Sequence, residues 1–169
     1  MADSVLYELA QRAGAALVRR GWMMVTAESC TGGWIAEAVT AVPGSSAWFD
    51  RGFVTYTYAS KREMLGVRAE TLERHGAVSL PVVEEMVAGA LAASDASIAV
   101  AVSGTAGPGG GTADKPVGTV CLAWRVKGES AHSERLHFEG DREAVRRQSV
   151  VRALTVLIET VDRETPSNA

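Results

Sequence analysis

The stretch Thr26-Ala27-Glu28-Ser29-Cys30-Thr31-Gly32-Gly33 sets three nucleophile-type side chains in a row, beside a carboxylate and two glycines. A serine or cysteine there needs a proton acceptor and N–H donors for an oxyanion before it can attack a carbonyl carbon. An apolar run of strand length, residues 22–25, precedes the octet. Residues 34–42 follow it, with Ile35, Ala38, Val39 and Val42 on one side at helical spacing. The octet therefore falls where a strand hands over to a helix, a common ligand position in α/β proteins and one rich in unpaired N–H groups. Two other readings stay open: Ser29 or Thr31 as a simple helix N-cap, and Cys30 as the nucleophile, with Glu28 and Lys61 completing a Cys-Glu-Lys set. Neighbouring residues at a helix start point roughly 100° apart, so only one of Ser29 and Cys30 can face a substrate.

The base candidates are Lys61, after a second strand, and Lys115, after a glycine-rich loop. A lysine serves as a base only when burial or nearby positive charge lowers its pKa, and most lysines are solvated. The histidines are poorly placed for a Ser-His-Asp triad. His75 falls at a helix end, and His132 and His137 fall in a presumed hairpin. The loop from Ser103 through Gly104, Thr105, Ala106, Gly107 and Pro108 to Thr112 matches neither phosphate-loop spacing nor a dinucleotide fingerprint, yet it could form a nest of N–H groups. Arg142 and Arg146 share a helix face at i,i+4; by themselves, with Arg147, they read as a solvated basic face.

The elements that must position these groups follow from periodicity. Helices are expected over 4–20, capped by Asp3 or Ser4 and stopped by Gly21, and from Ser79-Leu80-Pro81 onward with Val82, Val83, Met86, Val87, Ala90 and Leu91 buried. A last helix is expected from Asp141 through Val161. Short helical turns are expected at 61–65 and 69–75. Strands are expected at Phe53-Val54-Thr55-Tyr56-Thr57-Tyr58 and at 98–102, with a hairpin of 117–126 and 132–138. The order αβα-β-αα-αβ-ββ-α implies an α/β fold, a single three-layer α/β/α domain over 1–162 with a mixed sheet and a polar tail over 163–169.

Composition narrows the partners. Seventeen Lys and Arg against twenty Asp and Glu give a net charge of −3, which is no footprint for nucleic acid. No apolar run is long enough to span a membrane, and the start lacks the pattern of a secretory signal. Two cysteines and no metal-ligand spacing give neither a disulfide scaffold nor a metal site. The expectation is a cytoplasmic protein, a homo-oligomer and most simply a dimer, with a small-molecule substrate and with no nucleic-acid or membrane partner.

Seven blocks in order carry a resemblance. They are Thr26 to Gly33; Gly44-Ser45-Ser46; Gly52-Phe53-Val54-Thr55-Tyr56 with Lys61; Gly76-Ala77-Val78-Ser79; Ser103-Gly104-Thr105-Ala106-Gly107-Pro108; Lys115-Pro116-Val117-Gly118-Thr119-Val120; and Phe138-Glu139-Gly140-Asp141-Arg142. Together they resemble the CinA C-terminal domain family, whose stand-alone members are nicotinamide mononucleotide (NMN) amidohydrolases. Larger CinA proteins carry a further domain in front, for which this chain is expected to have no room. The resemblance implies hydrolysis of the NMN carboxamide to nicotinate mononucleotide and ammonia, with no metal and no organic cofactor. Ser29 matches the nucleophile, and Lys61 and Tyr56 match the groups that activate it and shuttle protons. Substrate binding is expected from Thr31, Gly32, Gly33, Ser103, Gly104, Thr105, Gly107, Lys115 and Arg142, the last three regions being candidates for the phosphate. One position departs: the family usually carries Asn two residues after the matched Tyr, where this chain has Tyr58. The rival readings are a non-enzymatic pyridine-nucleotide-binding module and a competence-associated interaction domain.

Overall fold

Five strands form one twisted sheet in the computed structural model, which describes residues 3–163. The elements in chain order are α1 (Ser4–Arg20), β1 (Met24–Glu28), α2 (Trp34–Thr40), a 3₁₀ turn (Ser45–Ala47), β2 (Phe49–Val54), α3 (Tyr58–Leu65), α4 (Ala69–His75), α5 (Leu80–Ala92), β3 (Ile98–Gly104), β4 (Thr119–Val126), β5 (His132–His137) and α6 (Arg142–Arg163). The sheet order is β2-β1-β3-β4-β5. β1 is parallel to both β2 and β3, while β4 and β5 are antiparallel additions, so the sheet is mixed, as the hairpin requires.

Side chains alternate across the sheet and divide the interior by size. Met24, Ile98, Val100, Val102, Val120, Leu122 and Trp124 point to one face, under α1, α2 and α6. Val25, Ala27, Ala99, Ala101, Cys121 and Ala123 point to the other, under α3, α4 and α5. The alanine-rich face lets α5 pack closely on the sheet. Gly89 of α5 also passes so near α3 that an added Cβ would sit 1.8 Å from the Leu65 carbonyl oxygen. That contact fixes α3 against α5.

Several boundaries differ from the sequence expectation. β1 begins two residues late and runs through Thr26 and Glu28, because neighbouring strands cover it on both edges and helices on both faces. The strand expected at 53–58 is instead Phe49–Val54. Thr57 forms a reciprocal capping box with Ser60, which starts α3 at Tyr58 and overrides the β-propensity of Thr55, Tyr56 and Thr57. α2 ends at Thr40, two residues early. The hairpin strands are trimmed at Val117 and Phe138, and Ser103 and Gly104 belong to β3 rather than to the loop. Asp3, not Ser4, caps α1 by accepting from the Val5 and Leu6 N–H groups, and Asp141 accepts from the Ala144 N–H at the start of α6. α6 runs on through Arg163, and residues 164–169 of the expected polar tail lie outside the described residues.

The topology creates one crevice. The chain leaves the carboxyl end of β1 toward α2 on one face and leaves β2 toward α3 on the other. Neighbouring parallel strands whose connections diverge in this way open a cleft at their carboxyl ends.

Candidate active site

Ser29 follows β1 directly, and Lys61 lies on α3, which follows β2, so the crevice between these strand ends brings together residues 32 apart in sequence. Lys61 Nζ lies 2.9 Å from Ser29 Oγ and donates to the Thr55 carbonyl at 2.7 Å. Lys61 is only 1% exposed, and among the described residues no carboxylate pairs with it. Burial therefore pulls its ammonium down from 10.5 to about 8. A buried lysine that loses its proton close to neutrality, in contact with a serine hydroxyl, has the geometry of a general base beside its nucleophile.

Helix capping falls to another residue. The N-cap position of α2 is Gly33, which offers no side chain. The Glu28 carboxylate folds back over the helix start instead. Oε1 accepts from Thr31 Oγ1 at 2.6 Å and from the Ile35 N–H at 2.8 Å, and Oε2 accepts from the Ala36 N–H at 3.1 Å. Burial pushes the Glu28 carboxyl up, opposed by the Thr31 hydroxyl and by the N–H groups of Ile35, Ala36 and Gly33. Ser29 is thus free of any capping duty, and Thr31 is a fully buried brace for Glu28. Gly32 and Gly33 have φ of +61° and +102°, so the turn reaches α2 through two consecutive left-handed residues that favour glycine. Among the described residues, no backbone carbonyl accepts from the N–H of Cys30 or of Thr31. Both belong to the turn that begins with Ser29, which makes them the candidate donors to an oxyanion on that residue.

Cys30 faces away from this chemistry. Its side chain is 5% exposed within the core under α1, α2 and α6, and a Cβ on Gly104 would sit 3.2 Å from its sulfur. Burial first, and the Glu28 charge second, push its thiol up to about 12. Glu28 is committed to α2, so the Cys-Glu-Lys set is not assembled. Cys30→Ala is expected to keep activity within about threefold, since a thiol this far above neutrality holds almost no thiolate. Iodoacetamide is expected to react slowly. Rapid stoichiometric labelling of Cys30 blocked by substrate, together with an inactive Cys30→Ala, would reverse the assignment.

The other expected residues divide into two groups. Arg142 bridges the mouth: Nη1 donates to the Gly107 carbonyl at 2.9 Å and Nη2 donates to the Tyr56 hydroxyl at 2.8 Å. It ties the segment after β2 to the glycine loop. Tyr56 is 58% exposed at this rim, bonded to Arg142 rather than to Ser29 or Lys61. Ser103, Gly104 and Thr105 continue β3 beside the turn that carries Ser29; the Ser29 N–H donates to the Val102 carbonyl, and the Thr105 N–H donates to the Thr119 carbonyl. Lys115 is engaged elsewhere, with Nζ donating to the His75 carbonyl at the end of α4. Gly76, next to it, has φ of +74°, and a Cβ there would approach Lys115 Nζ at 3.3 Å and the Tyr58 hydroxyl at 4.0 Å. Tyr58, the departure from the family pattern, stands half-exposed at the first position of α3.

Two participants were not legible beforehand. One is the Thr55 carbonyl, which the sequence places inside a strand. The other is Arg146, whose Nε and Nη2 donate to the carbonyls of Cys30 and Thr31 at 3.0 and 3.2 Å. The i,i+4 spacing of Arg142 and Arg146 gave the face, but only the docking of α6 showed that it covers the crevice. Arg147 is no free surface charge either, since its Nε donates to Asp3 at 2.6 Å. Among the described residues, no group of three or more His, Cys, Asp or Glu side chains is placed to hold a metal ion, and no helix is long and apolar enough to cross a membrane.

Fold and site together define an α/β protein of mixed sheet with a serine–lysine pair, suited to acyl transfer, at its strand switch point. The chain belongs to the CinA C-terminal domain family, which matches residues 6–161. It is 54% identical over 157 residues to the nicotinamide-nucleotide amidohydrolase PncC of Escherichia coli, covering 93% of this chain and 95% of that protein. It is 59% identical over 151 residues to the protein of the same name from Pseudomonas putida, covering 89% and 94%. The crystal structure of the competence/damage inducible protein CihA from Agrobacterium tumefaciens superposes with a TM-score of 0.92 at 46% identity, covering 96% of this chain and 98% of that one.

Proposed function

We propose that this protein hydrolyses the carboxamide of NMN to nicotinate mononucleotide and ammonia, with Ser29 as nucleophile and Lys61 as its base. The observation that carries this reading is the 2.9 Å contact between Ser29 Oγ and a buried Lys61 Nζ, in a chain more than half identical to proteins named for this activity. In the first half-reaction, Ser29 Oγ bonds to the carboxamide carbon as its proton passes to neutral Lys61. The oxyanion is received by the N–H groups of Cys30 and Thr31. Lys61 then protonates the amide nitrogen, the C–N bond breaks, and ammonia leaves an acyl ester on Ser29. In the second, water adds to the ester while Lys61 takes its proton. The C–Oγ bond breaks, and the proton returns to Ser29 as nicotinate mononucleotide leaves. Tyr56 serves as a proton carrier at the rim, where Arg142 orients its hydroxyl. The glycine loop with Ser103, Gly104, Thr105 and Gly107, together with Gly32, Gly33 and Arg142, makes up the binding surface, with Arg142 serving the phosphate.

The test is ammonia release from NMN by the purified protein, alone and with a chelator. Equal rates in both are expected. No release, or release lost to the chelator and restored by zinc, would refute the reading.

A pH profile tests the lysine directly. The free base is the active form, so kcat/KM should rise about tenfold per pH unit below about pH 8 and level off above it. A flat profile between pH 6 and 9 would exclude Lys61 as the base.

A further inference from the structure

Arg146 is distinguished from its neighbours by what it holds. On α6, Arg147 pairs with Asp3 and Arg152 pairs with Glu134. Among the described residues, no carboxylate pairs with Arg146. Its guanidinium instead donates from Nε to the Cys30 carbonyl and from Nη2 to the Thr31 carbonyl, while its Cζ lies 5.4 Å from the centroid of the Trp34 ring. Gly32 lies directly under the guanidinium, where a Cβ would meet Nη2 at an ordinary contact distance of 3.7 Å. A whole positive charge is thereby directed at two peptide groups of the turn that begins with Ser29.

In a trans peptide the carbonyl and the next N–H point in opposite directions along one rigid, polarisable unit. A cation bonded to the Cys30 carbonyl draws electron density from the Thr31 N–H across the peptide plane. It also fixes the direction in which that N–H points. The Thr31 carbonyl belongs in the same way to the Gly32 N–H, which donates to the Ser29 carbonyl at 3.0 Å and closes the turn. We propose that Arg146 is a positioning residue: through the Cys30–Thr31 peptide it orients and strengthens the Thr31 N–H as an oxyanion donor to the Ser29 adduct. This rests on the serine mechanism proposed above. Arg146 makes no hydrogen bond to Ser29 Oγ or Lys61 Nζ among the described residues, and its effect is confined to states that carry the oxyanion.

The experiment compares Arg146→Met, Arg146→Lys and Arg146→Ala with the wild-type chain. Losing a full oxyanion donor costs about 10²–10³ in kcat, and weakening one should cost about 10- to 100-fold. The expected result for Arg146→Met is that fall in kcat, with KM for NMN within about threefold of the wild type. Arg146→Lys should retain part of the rate, and millimolar methylguanidinium should restore part of it to Arg146→Ala but not to the wild type. A second readout avoids NMN altogether. Attack of Ser29 Oγ on an alkyl fluorophosphonate forms an Oγ–P bond, expels fluoride and passes through an oxyanion at phosphorus, so labelling should slow in parallel with kcat. Should the wild type label at Ser29 yet release no ammonia from NMN, the amidase reading fails while labelling still decides the role of Arg146. Unchanged kcat with unchanged labelling in Arg146→Met, or a rise in KM alone, would overturn the proposal. If Arg146→Met does not fold, the Lys variant and methylguanidinium rescue decide, and a Lys variant as fast as the wild type with no rescue of the Ala variant would likewise overturn it.

Discussion

Ser29→Ala is expected to give a folded protein that binds NMN and turns it over at least about 10³-fold more slowly than the wild type. The turn that holds Ser29 is built from backbone bonds, from the Ser29 N–H to the Val102 carbonyl and from the Gly32 N–H to the Ser29 carbonyl, and the substitution leaves both in place. Glu28 rather than Ser29 caps α2, so no capping energy is lost. The remaining cost is the contact with Lys61, about 1 kcal/mol. Calorimetric NMN binding, the melting temperature and ammonia release together separate the outcomes. Turnover within tenfold of the wild type would remove Ser29 as nucleophile.

Lys61→Met should lower turnover about 10²–10⁴-fold and yet keep or raise stability near pH 7. The sign follows from linkage. The folded-state pKa of Lys61 is lowered from 10.5 to about 8, so between those values the unfolded chain binds more protons. Wild-type stability therefore rises with pH across that window. Below pH 8 the protein carries the full cost of a buried ammonium, about 3 kcal/mol at roughly 1.4 kcal/mol per pH unit. Methionine removes that cost and keeps most of the packing volume. It also leaves the Thr55 carbonyl without the Lys61 donor, which returns about 1–3 kcal/mol. The net gain expected at pH 7 is about 0–2 kcal/mol, up to several degrees in Tm, and the Met variant should lose about 3 kcal/mol relative to the wild type as the pH rises from 7 to 10.5. A stability difference between the two proteins that stays constant from pH 7 to 10.5 would mean that the lysine is not held at a cost. The pattern is that of a site whose reactivity is maintained against stability.

The sequence by itself determined the element order, the mixed sheet and the position of the turn that carries Ser29. These are consequences of local pattern: apolar periodicity, the Gly32-Gly33 turn, Pro81 at the start of α5 and the late hairpin. It also singled out Ser29 and Lys61, on residue type and on the resemblance. Only the tertiary structure decided between the roles those residue types allow. Whether Ser29 capped α2 depended on where the Glu28 side chain turned, and that required β1 to extend through Glu28. Whether Lys61 could act as a base depended on its burial, which follows from the capping box at Thr57 and Ser60 and from the close passage of α5 over α3 at Gly89. Cys30 and Ser29 are adjacent and chemically alike, yet one points into the core and the other toward Lys61. Local sequence makes Arg146 one of three solvated arginines, whereas the docking of α6 sets it over the turn that carries Ser29. The physical reason is common to all four. Helix starts and strand ends are written in short-range sequence, whereas desolvation and side-chain partners are set by segments 30 to more than 100 residues away.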